Sequence, residues 1–476
     1  MNGNGKLTGP TTNVLHVAIV GAGPAGFHAA IALLEQSAQA VEVDLFDRLP
    51  TPYGLVRAGV APDHQKIKSV TRVYERWGND LRFEFFGNVQ LGRDIEVSDL
   101  KTFYDQVLYA TGNENDRRLG VRGEHLEGCS PASVFVGWYN GHPDYRDAKF
   151  NLSSERVAII GNGNVAVDVA RILAKSPAEL RSTDIADHAL TALLASQVRE
   201  VVVIGRRGPV QATFTPSELR ELLETPGVTA HANPDELILT ERDRAYLDGA
   251  SDKDPAKRSY ELLSSIAQSA PPKAPRRIQF RFLWSPVELV GDGAGHLQQL
   301  RLERNRLVAD KHGHLQAIGT GQVESLDVGA VFVSIGYAGK RIAGVPFDEK
   351  HGTIANVDGR VLEPESQAMR PREYCTGWAR TGARGLIATQ KAGSAEVVAR
   401  MLADYRAAQP CAEARAGRSA IKAQLEKRQV RAVSFADWRT LDAIEVQRGQ
   451  PHGALRSKIV DIPEMIDLVE LKRRGW

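Results

Sequence analysis

The sequence predicts an α/β protein of two three-layer units, the second inserted into a discontinuous first. Two observations carry this. Short apolar strands run directly into glycine turns and then into apolar helices at Leu15–Leu34 and again at Arg156–Leu173. Strands ending in Thr111-Gly112 and Ile335-Gly336 mark two places where the chain passes between the units. The expected boundaries are 1–113 with 337–476 for the outer unit and 114–336 for the inserted one.

In the first unit, Leu15–Val20 is apolar and rich in β-branched residues, as a buried strand requires. It enters Gly21-Ala22-Gly23-Pro24-Ala25-Gly26, and Phe27–Leu34 continues as an Ala-rich apolar helix. Between a strand and a helix, G-x-G-x-x-G reads as a Rossmann-like dinucleotide-binding turn. Gly21 permits the tight turn, Gly23 lets the backbone approach a pyrophosphate, and Gly26 allows close helix–strand packing. The phosphates then meet free N–H groups at the positive end of the helix dipole. A second strand, Val41–Phe46, ends at Asp47. That acid stands about twenty residues past the glycines, where a carboxylate accepts hydrogen bonds from ribose hydroxyls.

The Pro- and Gly-rich stretch from Pro52-Tyr53-Gly54-Leu55 through Pro62-Asp63-His64 predicts an ordered loop packed on something flat, with a helix from near Gln65. Strands are expected at Arg82–Phe86, Asn88–Leu91 and Gln106–Ala110.

In the second unit, Arg156–Ile160 enters Gly161-Asn162-Gly163-Asn164-Val165-Ala166 and a helix through Leu173. The next strand, Val201–Ile204, ends in Gly205-Arg206-Arg207-Gly208. Arginines here replace the acid of an NAD site. A 2′-phosphate repels a carboxylate and suits guanidinium forks, so the side chains point to NADP. The long spacing from Gly161 to Arg206 marks Ser176–Gln197 as an insertion. Phe214–Glu221 opens a helix with Thr215 or Ser217 as N-cap and Glu218 in the first turn. Arg242–Arg258 reads as an exposed helical hairpin or solvated insertion. Lys273, Arg276 and Arg277 form a basic cluster, either a solvated face or a docking patch. Strands at Val331–Ser334 and up to Trp378 follow, then an Arg/Gly-rich loop to Gly385-Leu386-Ile387 and a helix from Ala388. Beyond Ala403 the pattern predicts a charged helix and a loose tail.

Composition narrows the function classes. The 476 residues carry 60 Lys plus Arg against 58 Asp plus Glu, a net charge of +2 that argues against bulk nucleic-acid binding. No apolar run approaches the ~20 residues needed to span a bilayer. Met1–Val14 is polar and reads as a disordered leader, and a cytoplasmic protein is expected. Cys129, Cys375 and Cys411 form no C-x-x-C pair, so neither a dithiol centre, a chain-encoded iron–sulfur cluster nor another metal site is expected.

With these segments in place, the chain resembles the adrenodoxin-reductase-type ferredoxin–NADP(+) reductases from about Val17 to Lys391. Pro52–Lys68, Gly161–Leu173, Gly205–Pro209, Phe214–Leu222 and Thr376–Ile387 carry the resemblance. It implies an NADP domain inserted into an FAD domain. It implies FAD contacts from Ala25, Asp47, Leu55, Val89, Trp378, Gly385, Leu386 and Ile387, beside the Gly21, Gly23 and Gly26 turn. NADPH contacts are implied for Asn162, Gly163, Asn164, Val165, Arg206, Arg207 and Glu218. His64 and Glu218 match residues near the ring system, where they orient the nicotinamide and tune the flavin.

The implied activity is hydride transfer from NADPH to FAD, then single electrons to a 2Fe–2S ferredoxin or adrenodoxin-like carrier feeding a cytochrome P450 or other oxidase. Two departures stand out. Asp47 replaces the commoner glutamate, and the Trp378–Gly385 loop is more basic than usual in the family. The alternatives are an NADPH diaphorase or quinone reductase, a glutamate-synthase-like reductase subunit, or a non-catalytic dinucleotide-sensing protein.

Overall fold

The computed structural model describes residues 14–268, 274–385, 387–408 and 415–475. Most of the expected leader, Lys273, Leu386 and Cys411 lie outside the described residues.

Alternate residues of Leu15–Val20 enter two different cores: Leu15, Val17 and Ile19 on one face, Ala18 and Val20 on the other. A strand buried on both faces belongs inside a parallel sheet covered by helices, and this one does. The first sheet has seven strands, in the order Asn356–Val357, Arg360–Leu362, Met369–Cys375, Gln106–Tyr109, Leu15–Val20, Val41–Phe46, Phe83–Phe86. The last five are parallel, with Val17 facing Val43 on one side and Gln106 on the other.

The second sheet repeats the plan with six parallel strands. Their order is Cys129–Pro131, Ala330–Val333, Arg156–Ile160, Glu200–Gly205, Arg276–Phe282, Val228–Ala232. A three-stranded antiparallel meander, Trp284–Gly291, Leu297–Ala309 and Leu315–Asp327, packs Leu289, Leu300 and Leu302 against this sheet. The two stretches that join the sheets run together: Asn115–Asp116 pairs antiparallel with Tyr337–Ala338, and Arg117 N donates to Gly336 O at 3.1 Å.

Several expectations needed correction. Asn88–Leu91 is not a strand, because Asn88 adopts a φ of +58° and breaks the extended run after Phe86. The helix near Gln65 divides into Gln65–Lys68 and Thr71–Trp77. As expected, Ser176–Gln197 is an insertion between helix and strand, folded into two short helices, Pro177–Arg181 and Asp187–Leu194, and the charged stretch Arg242–Arg258 falls in a helical pair, Glu241–Gly249 and Pro255–Gln268.

The largest correction concerns the C-terminal segment, expected as a charged helix and a loose tail. It forms helices Gly417–Lys427, Phe435–Gly449 and Ile462–Arg473. Their Phe435, Trp438, Leu441, Met465 and Val469 join the same core as Leu15 and Phe27. Among the described residues no helix is long and apolar enough to cross a membrane.

Candidate functional site

Each sheet offers a glycine turn at the carboxyl end of one strand, Leu15–Val20 in the first and Arg156–Ile160 in the second. The two turns are built alike. A Cβ on Gly21 would lie 2.4 Å from Ala110 O, and one on Gly161 would lie 2.0 Å from Ser334 O. Each turn therefore presses against the end of the neighbouring strand, which opens a crevice beside it. Gly26 is equally tight, its virtual Cβ lying 2.0 Å from Gly21 O, whereas a Cβ on Gly23 meets nothing within 4 Å. Open space over a helix N-terminus is where a pyrophosphate fits.

The residues expected at the flavin converge on the first turn. Asp47 Oδ2 accepts Ala22 N at 2.8 Å and Oδ1 accepts Leu49 N at 2.9 Å, tying the acid to the glycine turn. Burial raises its pKa despite those two N–H donors. Val89, itself buried, donates its N–H to Asp47 O at 2.9 Å. Tyr53 N donates to Ala22 O at 2.8 Å, and a Cβ on Gly54 would be 3.0 Å from Gly23 Cα, so the loop carrying Leu55 lies along the turn. From the other side, a Cβ on Gly377 would lie 2.5 Å from Ala25 Cβ. Trp378 follows it, stacked on Tyr337 with centroids 5.6 Å apart, its Nε1 donating to Arg384 O at 3.0 Å. Ile387 begins the helix Ile387–Ala407, whose Ser394 Oγ donates to Ala25 O at 3.0 Å. Gly385, at φ +79°, is exposed just before it.

The second turn is braced by the helix Pro216–Leu223. Asn162 O accepts Thr213 N at 2.8 Å, and Asn164 Oδ1 accepts Thr215 N at 2.8 Å. Thr215 is the N-cap, which sets Glu218 in the first turn. Val165 lies half-buried beside Asn164 in the first turn of its own helix. Arg206 and Arg207 leave the end of the strand Glu200–Gly205, Arg206 exposed and Arg207 half-buried. Among the described residues neither guanidinium has a carboxylate partner. Burial, then repulsion from Arg206, lowers the pKa of Arg207, a local excess of positive charge suited to a phosphate.

Where the two halves meet stands an ionic cluster that includes His64 and Glu218. His64 Nε2 lies 3.1 Å from Glu221 Oε2, 3.5 Å from Glu218 Oε2 and 2.7 Å from Arg171 Nη2. Its Nδ1 is 3.8 Å from Asp168 Oδ1. Burial, then the charge of Asp168, raises the Glu218 pKa, and burial raises that of Asp168. Donor atoms of His64, Asp168 and Glu218 lie within 4.8 Å of one another, and the cation they face is the Arg171 guanidinium. Sequence reasoning missed Arg171, Asp168 and Glu221. A signal existed: Asp168 and Arg171 interrupt an otherwise apolar helix at i, i+3 spacing.

Of the basic cluster, Arg276 and Arg277 lie among the described residues and have partners of their own. Arg276 donates to the carbonyls of Ala174 and Lys175 at the end of a helix, and Arg277 pairs with Glu200 at 3.0 Å. Arg277 borders a groove of about 650 Å³ with Arg156 and Glu200. Those residues begin their strands, and ligands of such sheets bind at the opposite, carboxyl ends. The two described cysteines are unpaired. Burial pushes the Cys375 thiol up to about 12 and that of Cys129 to about 11, so neither offers a ready thiolate.

Two units built on parallel strands, each with a glycine turn between a strand and a helix, define the two-dinucleotide class of pyridine-nucleotide oxidoreductases. The family model described as pyridine nucleotide-disulphide oxidoreductase matches residues 15–225. The chain is 41% identical over 465 residues to the NADPH-ferredoxin reductase FprA of Mycobacterium tuberculosis, covering 95% of this chain and 98% of that protein. It is 40% identical over 462 residues to the mitochondrial NADPH:adrenodoxin oxidoreductase of Arabidopsis thaliana, covering 95% of each. The solved structure of Mycobacterium tuberculosis FprA in complex with NADPH superposes with a TM-score of 0.89 at 40% identity, over 96% of this chain and 99% of that one. The chain therefore belongs to the family of NADPH-ferredoxin and NADPH:adrenodoxin reductases.

Proposed function

We propose that this chain is an FAD-dependent NADPH oxidoreductase that reduces a ferredoxin- or adrenodoxin-like iron–sulfur protein. The observation that carries the reading is the pair of unlike glycine turns: one tied to the acid Asp47, the other followed by two arginines that have no acid partner among the described residues. Bound FAD supplies the redox chemistry, taking an electron pair from NADPH and releasing electrons singly.

The protein's own residues bind and orient. Gly21, Gly23, Ala25, Gly26, Asp47, Leu55, Val89, Trp378 and Gly385–Ile387 hold the FAD. Asn162–Val165, Arg206 and Arg207 hold the NADPH phosphates. Glu218 and His64 face the nicotinamide end, where they orient it and keep water out. We also propose the division into an FAD domain, 1–113 with 337–476, and an NADP domain, 114–336; the antiparallel pairing of the two joining stretches supports it. Cytoplasmic location and the supply of a cytochrome P450 or other oxidase belong to the same proposal.

The test is NADPH-driven cytochrome reduction with and without added 2Fe–2S ferredoxin across a salt series. Ferredoxin should accelerate turnover, and the acceleration should fade as salt screens exposed charges beyond about 8–10 Å. The exposed Arg384 is a candidate for such docking. No acceleration at any ionic strength would make a diaphorase or quinone reductase the better reading.

A further inference from the structure

Arg206 and Arg207 stand on a turn that the parallel sheet does not hold by itself. The strand Glu200–Gly205 ends at Gly205, which is also its last pairing, with Phe282. Past that point the arginine carbonyls turn to the antiparallel meander. Arg207 O accepts Leu283 N at 3.1 Å, and Arg206 O accepts the side-chain Nδ2 of Asn305 at 2.9 Å. The same Nδ2 donates to Ser285 Oγ at 2.8 Å, and Asn305 N donates to Leu283 O at 2.7 Å. Leu283 adopts a φ of +63°, rare for a residue with a side chain, where the chain leaves the strand Arg276–Phe282 for the meander.

Asn305 is buried on the middle strand of that meander, Leu297–Ala309. A side-chain amide has two N–H donors, and Arg206 O and Ser285 Oγ engage both. Residues two apart on a strand share a face. Leu307, the next on this face, has its Cδ1 3.6 Å from where a Cβ on Gly208 would stand. Asn305 and Leu307 therefore meet the turn at its two ends. The pairing of their strand with Leu315–Asp327 is interrupted between Glu303 and Asn305, an irregularity of the kind that re-aims a side chain.

An arginine side chain is flexible from its Cβ outward, so what the protein can place in advance is the backbone from which the two guanidiniums start. Arg206 repels Arg207, and that repulsion works to spread a turn that is not tied down. We propose that Asn305 is a positioning residue for nucleotide choice: its amide ties the Arg206 carbonyl to the meander and so holds both guanidiniums where one 2′-phosphate meets them together. The inference rests on the reading of Arg206 and Arg207 as the 2′-phosphate site. Asn305, with both N–H groups engaged by protein, acts through the turn.

The probes are 2′,5′-ADP and 5′-AMP, which differ by the 2′-phosphate alone, titrated calorimetrically into the FAD-loaded protein. The unaltered protein should bind 2′,5′-ADP about a hundredfold tighter, the worth of two charge-assisted contacts. N305L keeps the side-chain size and removes both donors. It should weaken 2′,5′-ADP about tenfold, one such contact misplaced, and move 5′-AMP by less than about twofold. Added to R206A/R207A, N305L should change neither affinity. S285A deletes a single oxygen and frees one amide N–H, so it should shift 2′,5′-ADP in the same direction by a smaller factor. It decides the matter if N305L does not fold. An unchanged ratio of the two affinities in the deciding variant overturns the role. Equal losses of both ligands, or the full N305L effect without the arginines, overturn it as well. A protein that in its unaltered form binds the two probes equally would overturn the reading of the arginines themselves, before any variant of Asn305 is made.

Discussion

A methyl group on Gly21 would meet the Ala110 carbonyl at 2.4 Å, at a φ of +110° that side chains avoid; on Gly23 it would meet no protein atom within 4 Å. Gly21→Ala should therefore damage the fold itself, whereas Gly23→Ala should fold normally and lose FAD, because its methyl fills only the pyrophosphate space. Thermal unfolding of the apoprotein and FAD titration separate the two; equal melting losses would place the pyrophosphate elsewhere. On the NADP side, Arg206 and Arg207 each offer charge-assisted hydrogen bonds of about 1.5–3 kcal/mol to a 2′-phosphate. Replacing both with alanine should weaken NADPH far more than NADH. Equal losses would make the pair structural. Both glycine turns and Asp47 were legible in the sequence because their chemistry is local: strand, turn, helix and acid follow one another along the chain. The Arg171 cluster was not, since Arg171 meets His64 across 107 residues and no spacing rule connects them.

The helix Phe435–Gly449 shows how an element can be hidden in a sequence. Its buried positions are Phe435, Trp438, Leu441, Glu445 and Gly449. The three- and four-residue steps suit one helical face, but the stripe is interrupted by a glutamate, which reads as solvated. The structure explains the glutamate: Arg57 grips Glu445 at 2.5 and 2.9 Å, and Ile459 N donates to it at 3.0 Å. Burial acts against the charged form, and the Arg57 and Arg456 cations reverse that and lower the Glu445 pKa. Trp438 meets the Tyr53 ring edge-on at 5.8 Å, and the Arg57 guanidinium lies 5.1 Å from the Trp438 ring centre. The helix Phe435–Gly449 thus braces the loop Tyr53–Arg57 that runs along the first glycine turn. Trp438→Ala should cost about 3–5 kcal/mol, the range for an emptied aromatic site, and should speed FAD release. Thermal unfolding and the rate of free-flavin appearance check this. A stable variant that keeps its FAD would show that the helix and loop are independent.

Across the whole molecule, three chain regions meet at Asp184. Lys68 reaches it at 2.7 and 2.8 Å from beyond the flavin-side loop, and Lys458 at 3.3 Å from the C-terminal segment, while Asp184 sits in the insertion of the NADP side. Asn140 adds its side-chain oxygen to Lys68 at 3.2 Å and its carbonyl to Lys458 at 3.0 Å. The α/β class was legible from strand and helix periodicity, but this knot was not, because nothing local marks a lysine as buried. Burial lowers the pKa of both lysines, with Lys458 well below its ordinary value, and the two cations lower that of Asp184 against its own burial. The signs then follow. Asp184 contributes stability that is present above about pH 4 and lost as pH falls through its folded pKa. The lysines bind fewer protons folded than unfolded, so their contribution improves as pH rises toward about 10. Asp184→Asn removes the anion and strands two buried cations, a loss of about 3–5 kcal/mol. The stranded lysines escape that cost by giving up protons, so the deficit should be largest near neutral pH and shrink under alkaline conditions. Unfolding midpoints of the two proteins, compared from about pH 6 to pH 10, read this out as a narrowing gap. A gap that stays constant would mean that the lysines keep their protons in the variant, and that water rather than Asp184 balances their charge.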